Sequence, residues 1–150
     1  MPNHDAHRIV GSIAGGGAAS WKAQGQLPMA QLIETLGGVG GGILGARMPD
    51  VIDPPTSPRH RSVGHGIAPV GAAAWAFVKS LRDCQDAMRH RSDVEHYEYQ
   101  AASSLLAQAA HLLLSLLWRL GSGVLVGFVA GYLSHIAMDF TTPAGLPVFF

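Results

Sequence analysis

Cysteine occurs once in the 150 residues, at Cys84. A single thiol excludes an intramolecular disulfide and a thiolate zinc cluster. Cys84 lies in the charged stretch KSLRDCQDAMRHR and reads as an incidental thiol. Charge is also scarce: 13% of residues are charged and the formal net charge is zero. An average soluble domain carries about 25%. A neutral chain has no electrostatic footprint for nucleic acid, so DNA and RNA are excluded as partners. The N-terminus lacks the basic segment and the small-residue cleavage site of a signal peptide, and the chain contains no internal repeats.

What replaces charge is glycine and apolar surface. Glycine occurs 19 times and 48% of residues are hydrophobic. The pattern predicts one all-α domain over residues 1–150, a small glycine-rich bundle of about five helices that is either membrane-embedded or unusually well buried. The helices are expected at 9–20, 29–48, 66–81, 102–119 and 123–140. Pro28 suits a helix start. Pro69 is expected to kink the third helix, and residues 79–98, dense in both charge signs, read as a separate solvated helix or loop. GSG at 121–123 is expected to divide the last apolar stretch, in which Arg119 is the single formal charge between Ala101 and Met138. Glycines 37, 38, 40, 41, 42 and 45 weaken the second helix by ~1 kcal/mol each relative to alanine, while leaving a face smooth enough for close packing. GSGVLVGFVAGYLSHIAM is just long enough to span a bilayer, for which about 17 residues is the lower limit. A soluble bundle of buried helices would produce the same hydropathy.

Ionisable groups concentrate in PDVIDPPTSPRHRSVGHG, residues 49–66. The prolines are expected to end the second helix and hold this segment extended. Asp50 and Asp53 are spaced to converge on one cation, or to cap helix ends. His60 and His65 lie in the same proline-stiffened loop. In GYLSHIAMDF, His135 and Asp139 stand at i and i+4 and project from one helical face. Such a pair in an apolar helix is expensive unless a partner, a metal or water satisfies it. His7, at the mouth of the first apolar helix, completes the set; beside it, Asn3 and Asp5 read as helix caps.

The expected metal ligands are therefore His7, Asp50, Asp53, His60, His65, His135 and Asp139. Nitrogen and carboxylate donors without sulfur suit a divalent ion, zinc first, with manganese or iron as alternatives. Seven donors exceed one tetrahedral shell and suit two ions clamping an attacking hydroxide and a leaving oxygen. Asp53 or Asp139 could serve as general base. Arg59 and Arg61 flank His60 and could hold a substrate phosphate; Arg61 is the expected catalytic arginine. His90 and His96 read as solvated background, and His111 as a polar contact inside the bundle.

Four blocks in order, HRIVG, PDVID, HRSVGH and GYLSHIAMDFTTPAGLP, resemble the bacterial membrane-bound, predicted metal-dependent hydrolases, whose SOS-regulated members gave the family its usual description. The resemblance covers roughly residues 4–17, 43–66 and 130–148, and its last block is the most specific. It marks the same seven residues. It implies a multi-pass inner-membrane protein with a polar metal site near the membrane boundary. Many members have Asp-x-Asp-His in the second block, where this chain has Asp50-Val51-Ile52-Asp53 followed by Pro54. Many have Thr-His-Ser in the third, where this chain has Gly64-His65-Gly66, so those hydroxyls are absent.

The expected function is membrane-associated hydrolysis of a phosphoester or other ester in a lipid-like substrate, with membrane lipid and a second copy of the chain as expected partners. The rivals are a non-catalytic membrane protein with a structural metal, acting as a partner-binding or sensory subunit, and a soluble helical phosphoesterase.

Overall fold

The computed structural model describes residues 4–52 and 67–141, with side chains described for 5–52 and 81–141. The described residues are helical apart from short turns, with no strand among them. Four long helices, α1 (His4–Lys22), α2 (Pro28–Gly45), α4 (Ile67–Ala101) and α5 (Leu105–Phe140), are joined by the five-residue α3 (Met48–Ile52). The fold is therefore all-α, as expected.

Helix ends follow local chemistry. Asp5 lies in the first turn of α1, where the helix dipole favours an acid. The α1–α2 turn passes through Gly25 at φ +84°, a conformation that strains a residue with a Cβ. Pro28 opens α2, where its missing N–H leaves no helical bond unmade. The Ser104 hydroxyl accepts a hydrogen bond from the Ala107 N–H at 3.2 Å and starts α5.

Several expected boundaries are corrected. The first helix begins at His4, not Ile9, so His7 sits within it. Pro49 does not hold the chain extended: it lies at the start of α3, in a turn that tolerates proline. Pro69 occupies the first turn of α4. The charged segment 79–98 continues α4 without a break. The GSG at 121–123 does not interrupt α5, so the two expected C-terminal helices are one helix of 36 residues.

The GSG is uninterrupted because it belongs to a packing face. Gly123, Gly127 and Gly131 meet the backbone of Glu34, Gly38 and Gly42, and a methyl group added at any of them would collide with it. α2 thus runs parallel to α5. On its other side, Gly38 and Gly42 meet Gly15 and Gly11 of the antiparallel α1 in the same way. Absence of bulk lets three backbones close on one another, as in membrane helix pairs. α4 runs antiparallel to α5, with Met88 beside Gly121 and Ser92 donating to the Ser115 carbonyl at 2.9 Å.

The interior and exterior are inverted relative to a water-soluble bundle. Among the described residues the buried hydrophobic side chains are only Ala19, Ala23, Ala46 and Leu81, whereas Glu34, Arg119, His135 and Asp139 are buried. Large apolar groups face outward on every element of the three-helix core, including Ile9 and Ile13 on α1, Leu32, Leu36 and Leu44 on α2, and Leu133 on α5. α5 is long and apolar enough to cross a membrane, and only 28% of its most apolar window is buried.

Candidate metal centre

Three helices bring four of the expected ligands together. His7 comes from α1, Asp50 from α3, and His135 and Asp139 from α5. Their meeting follows from the packing: antiparallel α1 brings its first turns to the last turns of α5, and parallel α2 delivers α3 to the same end. The i, i+4 spacing aims His135 and Asp139 inward together, as the helical period requires. Asp53, His60 and His65, and the expected phosphate-binding Arg61, lie outside the described residues.

Asp139 divides its two oxygens between the histidines. Its Oδ1 lies 3.5 Å from His7 Nε2, and its Oδ2 lies 3.7 Å from His135 Nε2. Asp50 Oδ1 stands 3.6 Å from the same His135 nitrogen. The two imidazoles stack with centroids 3.9 Å apart and planes 19° from parallel. His7, His135 and Asp139 are buried, at 5%, 1% and 3% exposure, and Asp50 is half-buried.

The proton on His135 can be assigned. Its Nδ1 lies 2.6 Å from the Ala46 carbonyl oxygen, which can only accept, so Nδ1–H donates. In the neutral ring Nε2 then carries a lone pair directed at the carboxylates. A histidine held by one nitrogen on a backbone carbonyl while the other faces acidic oxygens is the arrangement metal-ligating histidines use.

The separations test the fit to an ion. Donors about 2.1 Å from a tetrahedral ion lie about 3.4 Å from one another. The 3.5–3.7 Å contacts match that spacing, and are too long for direct hydrogen bonds. One donor atom each from His7, His135 and Asp139 falls within 4.8 Å of the others. Nitrogen and oxygen donors of this kind suit zinc, manganese or iron. The other described histidines stand apart: His90 and His96 are exposed, and His111 Nδ1 pairs with Glu95 Oε2 at 2.7 Å between α4 and α5.

Two cations at this end escape the sequence reading. Arg8 and Arg47 are exposed, adjoining His7 in one case and preceding Asp50 by three residues in the other. Their signal was present in HRIVG and ARMPD, beside ligands already chosen.

A second polar cluster was also missed. Glu34 is fully buried. Its carboxylate accepts from Arg89 Nη2 at 2.6 Å and from Arg119 Nη1 at 2.9 Å. Arg119 donates further to Asp93 at 2.6 Å and to Gln26 at 3.1 Å, and Arg89 donates to the Lys22 carbonyl at the end of α1 at 3.0 Å. An acid and a base, each isolated in an apolar helix, were the available sign that they pair.

Comparison with protein-family profiles, with curated proteins and with solved structures finds no match to this chain.

Proposed function

We propose that this chain is a membrane-associated, metal-dependent hydrolase that acts on a phosphoester or other ester in a lipid-like substrate. The observation that carries this reading is the convergence of His7, His135 and Asp139 at separations suited to ligands of one ion, with Asp50 3.6 Å from His135 beside them. Such an ion lowers the pKa of bound water and polarises the scissile group. Asp50 is the least buried of the four, and Arg47, with Arg8 beside Asp5, offers positive charge to a phosphate. Asp53, His60 and His65 extend the ligand set to a second ion, with Asp53 or Asp139 as base and Arg61 on the phosphate. Zinc is the first choice of metal. The motif resemblance to bacterial membrane-bound hydrolases supports the same assignment.

In this reading α1, α2 and the C-terminal half of α5 cross a bacterial inner membrane together. The outward apolar groups support it. So does the interval between the two polar clusters: the sixteen residues from Arg119 to His135 rise about 24 Å, close to the ~30 Å hydrocarbon core. Trp21, beside Lys22, and Trp118, beside Arg119, are exposed at the Glu34 end, the position of interfacial aromatics. The metal site then lies at the opposite boundary, within reach of a lipid headgroup.

The test is hydrolysis of bis(p-nitrophenyl) phosphate, a p-nitrophenyl acyl ester and a micellar phospholipid by detergent-purified protein supplied with zinc or manganese. His135→Ala and Asp139→Asn are expected to lower turnover at least ~100-fold, the upper end of what loss of an outer-shell partner costs. Turnover equal in wild type and both variants would refute the catalytic assignment. The burial of His7, His135 and Asp139 favours one second reading, a closed structural metal. Bound metal without turnover on any of these esters would select it.

A further inference from the structure

α5 is longer than a bilayer requires. Its 36 residues rise about 54 Å, against ~30 Å of hydrocarbon. The excess, Leu105 to Leu120, forms an arm with the second half of α4. The seam of this arm is polar: Gln108 donates to the Ala102 carbonyl, His111 pairs with Glu95, Ser115 with Ser92 and Arg119 with Asp93. The opposite face of α5 is leucine. Leu106 is 83% exposed and Leu113 57%, with Leu116 and Leu120 more than one-third exposed.

We infer that this face is the interface of a homodimer, in which the α5 arms of two copies form a parallel coiled coil. Three observations select a second copy. Leu106, Ala109, Leu113, Leu116 and Leu120 follow alternating spacings of three and four residues, the heptad seam that seats one helix on another. Seven of the nine large apolar side chains exposed between Leu105 and Leu120 lie on this seam or flank it, Leu105, Leu106, Leu112, Leu113, Leu116, Leu117 and Leu120, the apolar centre and edges that a paired helix would cover. Lipid is the poorer occupant, because α4 from Arg82 to Ala101 carries three arginines against five carboxylates. That acidic balance opposes docking on an anionic membrane, where basic residues are favoured. Seating both copies in one membrane makes the arms parallel. Both the parallel sense and the placement of this arm outside the hydrocarbon rest on the membrane reading above, since α5 as a whole is apolar enough to span.

Native mass spectrometry from detergent is expected to give twice the 15.7 kDa chain mass. The double variant Leu113→Asp/Leu116→Asp, altered only at exposed positions, is expected to be monomeric with unchanged helical circular dichroism. In membranes, with Cys84→Ser as background, Leu106→Cys, Leu113→Cys and Leu120→Cys are each expected to form disulfide-linked dimers on mild oxidation, while Glu98→Cys on the outer side of α4 does not. A monomeric wild type that yields none of these cross-links would overturn the inference. So would quenching of a fluorophore at position 113 by brominated lipid, or its capture by a different protein. Cross-linking at Leu113→Cys alone would indicate antiparallel arms and refute the parallel coiled coil. Extraction of an intact, cross-linked dimer into buffer without detergent would refute the membrane reading and leave the pairing standing.

Discussion

The two buried polar clusters occupy opposite ends of the glycine-packed core and solve the burial of charge differently. Around Glu34, opposite charges meet at 2.6–3.2 Å and the hydrogen bonds are direct. Around Asp139, three nitrogen–carboxylate pairs stand 3.5–3.7 Å apart, and two imidazoles stack. The first is a closed ion-pair network, complete within the protein. The second has the spacing of donors that share a centre. One cluster contributes to stability by its own contacts; the other has the donor spacing that the proposed ion would use.

Breaking the closed cluster gives the largest expected effect. Arg119→Ala leaves Glu34 buried with half its partners and is expected to destabilise the fold by about 3–5 kcal/mol, read as loss of thermal stability in detergent. Asp93 adds little to this figure, because its side chain is 66% exposed. A loss below ~1 kcal/mol would mean that water or lipid headgroups replace the pairing, and that the cluster is not closed.

The packing between the clusters comes next. Gly127→Ala places a methyl group against the Gly38 backbone and is expected to cost about 1–3 kcal/mol, since backbone cannot yield as a side chain can. Gly40→Ala, which meets open space, is expected to gain up to ~1 kcal/mol from helix propensity. Equal effects at the two positions would show that the close approach of α2 and α5 is not what holds the two ends in register.

How much of this was legible depended on the range of the interaction. His135 and Asp139 were readable because the helical period alone puts them on one face. His7 and Asp50 were recognised by residue type, but their convergence follows from α1 running antiparallel to α2 and α5, which no local pattern encodes. Helix starts at Pro28 and Ser104 obey local rules. The break expected at Gly121-Ser122-Gly123 does not form because glycine's weak propensity is local, whereas the use of Gly123 is tertiary: it admits the α2 backbone. The charged half of α4 reads from its sequence as a solvated helix or loop because its partners, Glu34 on α2 and Arg119 on α5, are remote. Glu34 and Arg119 are 85 residues apart, and Glu34 and Arg89 are 55 apart.

The central claim is that the Asp139 cluster is a metal centre and the Glu34 cluster is not. Elemental analysis of protein purified in detergent without chelator tests it most directly. At least one equivalent of zinc, manganese or iron per chain is expected in the wild type and in Arg8→Ala. Metal is expected to fall below 0.1 equivalent in His135→Ala/Asp139→Ala, about the tenfold loss that marks removal of a ligand-sphere group. Less than 0.1 equivalent in the wild type even after incubation with each metal, or the same content in the double variant, would contradict the account.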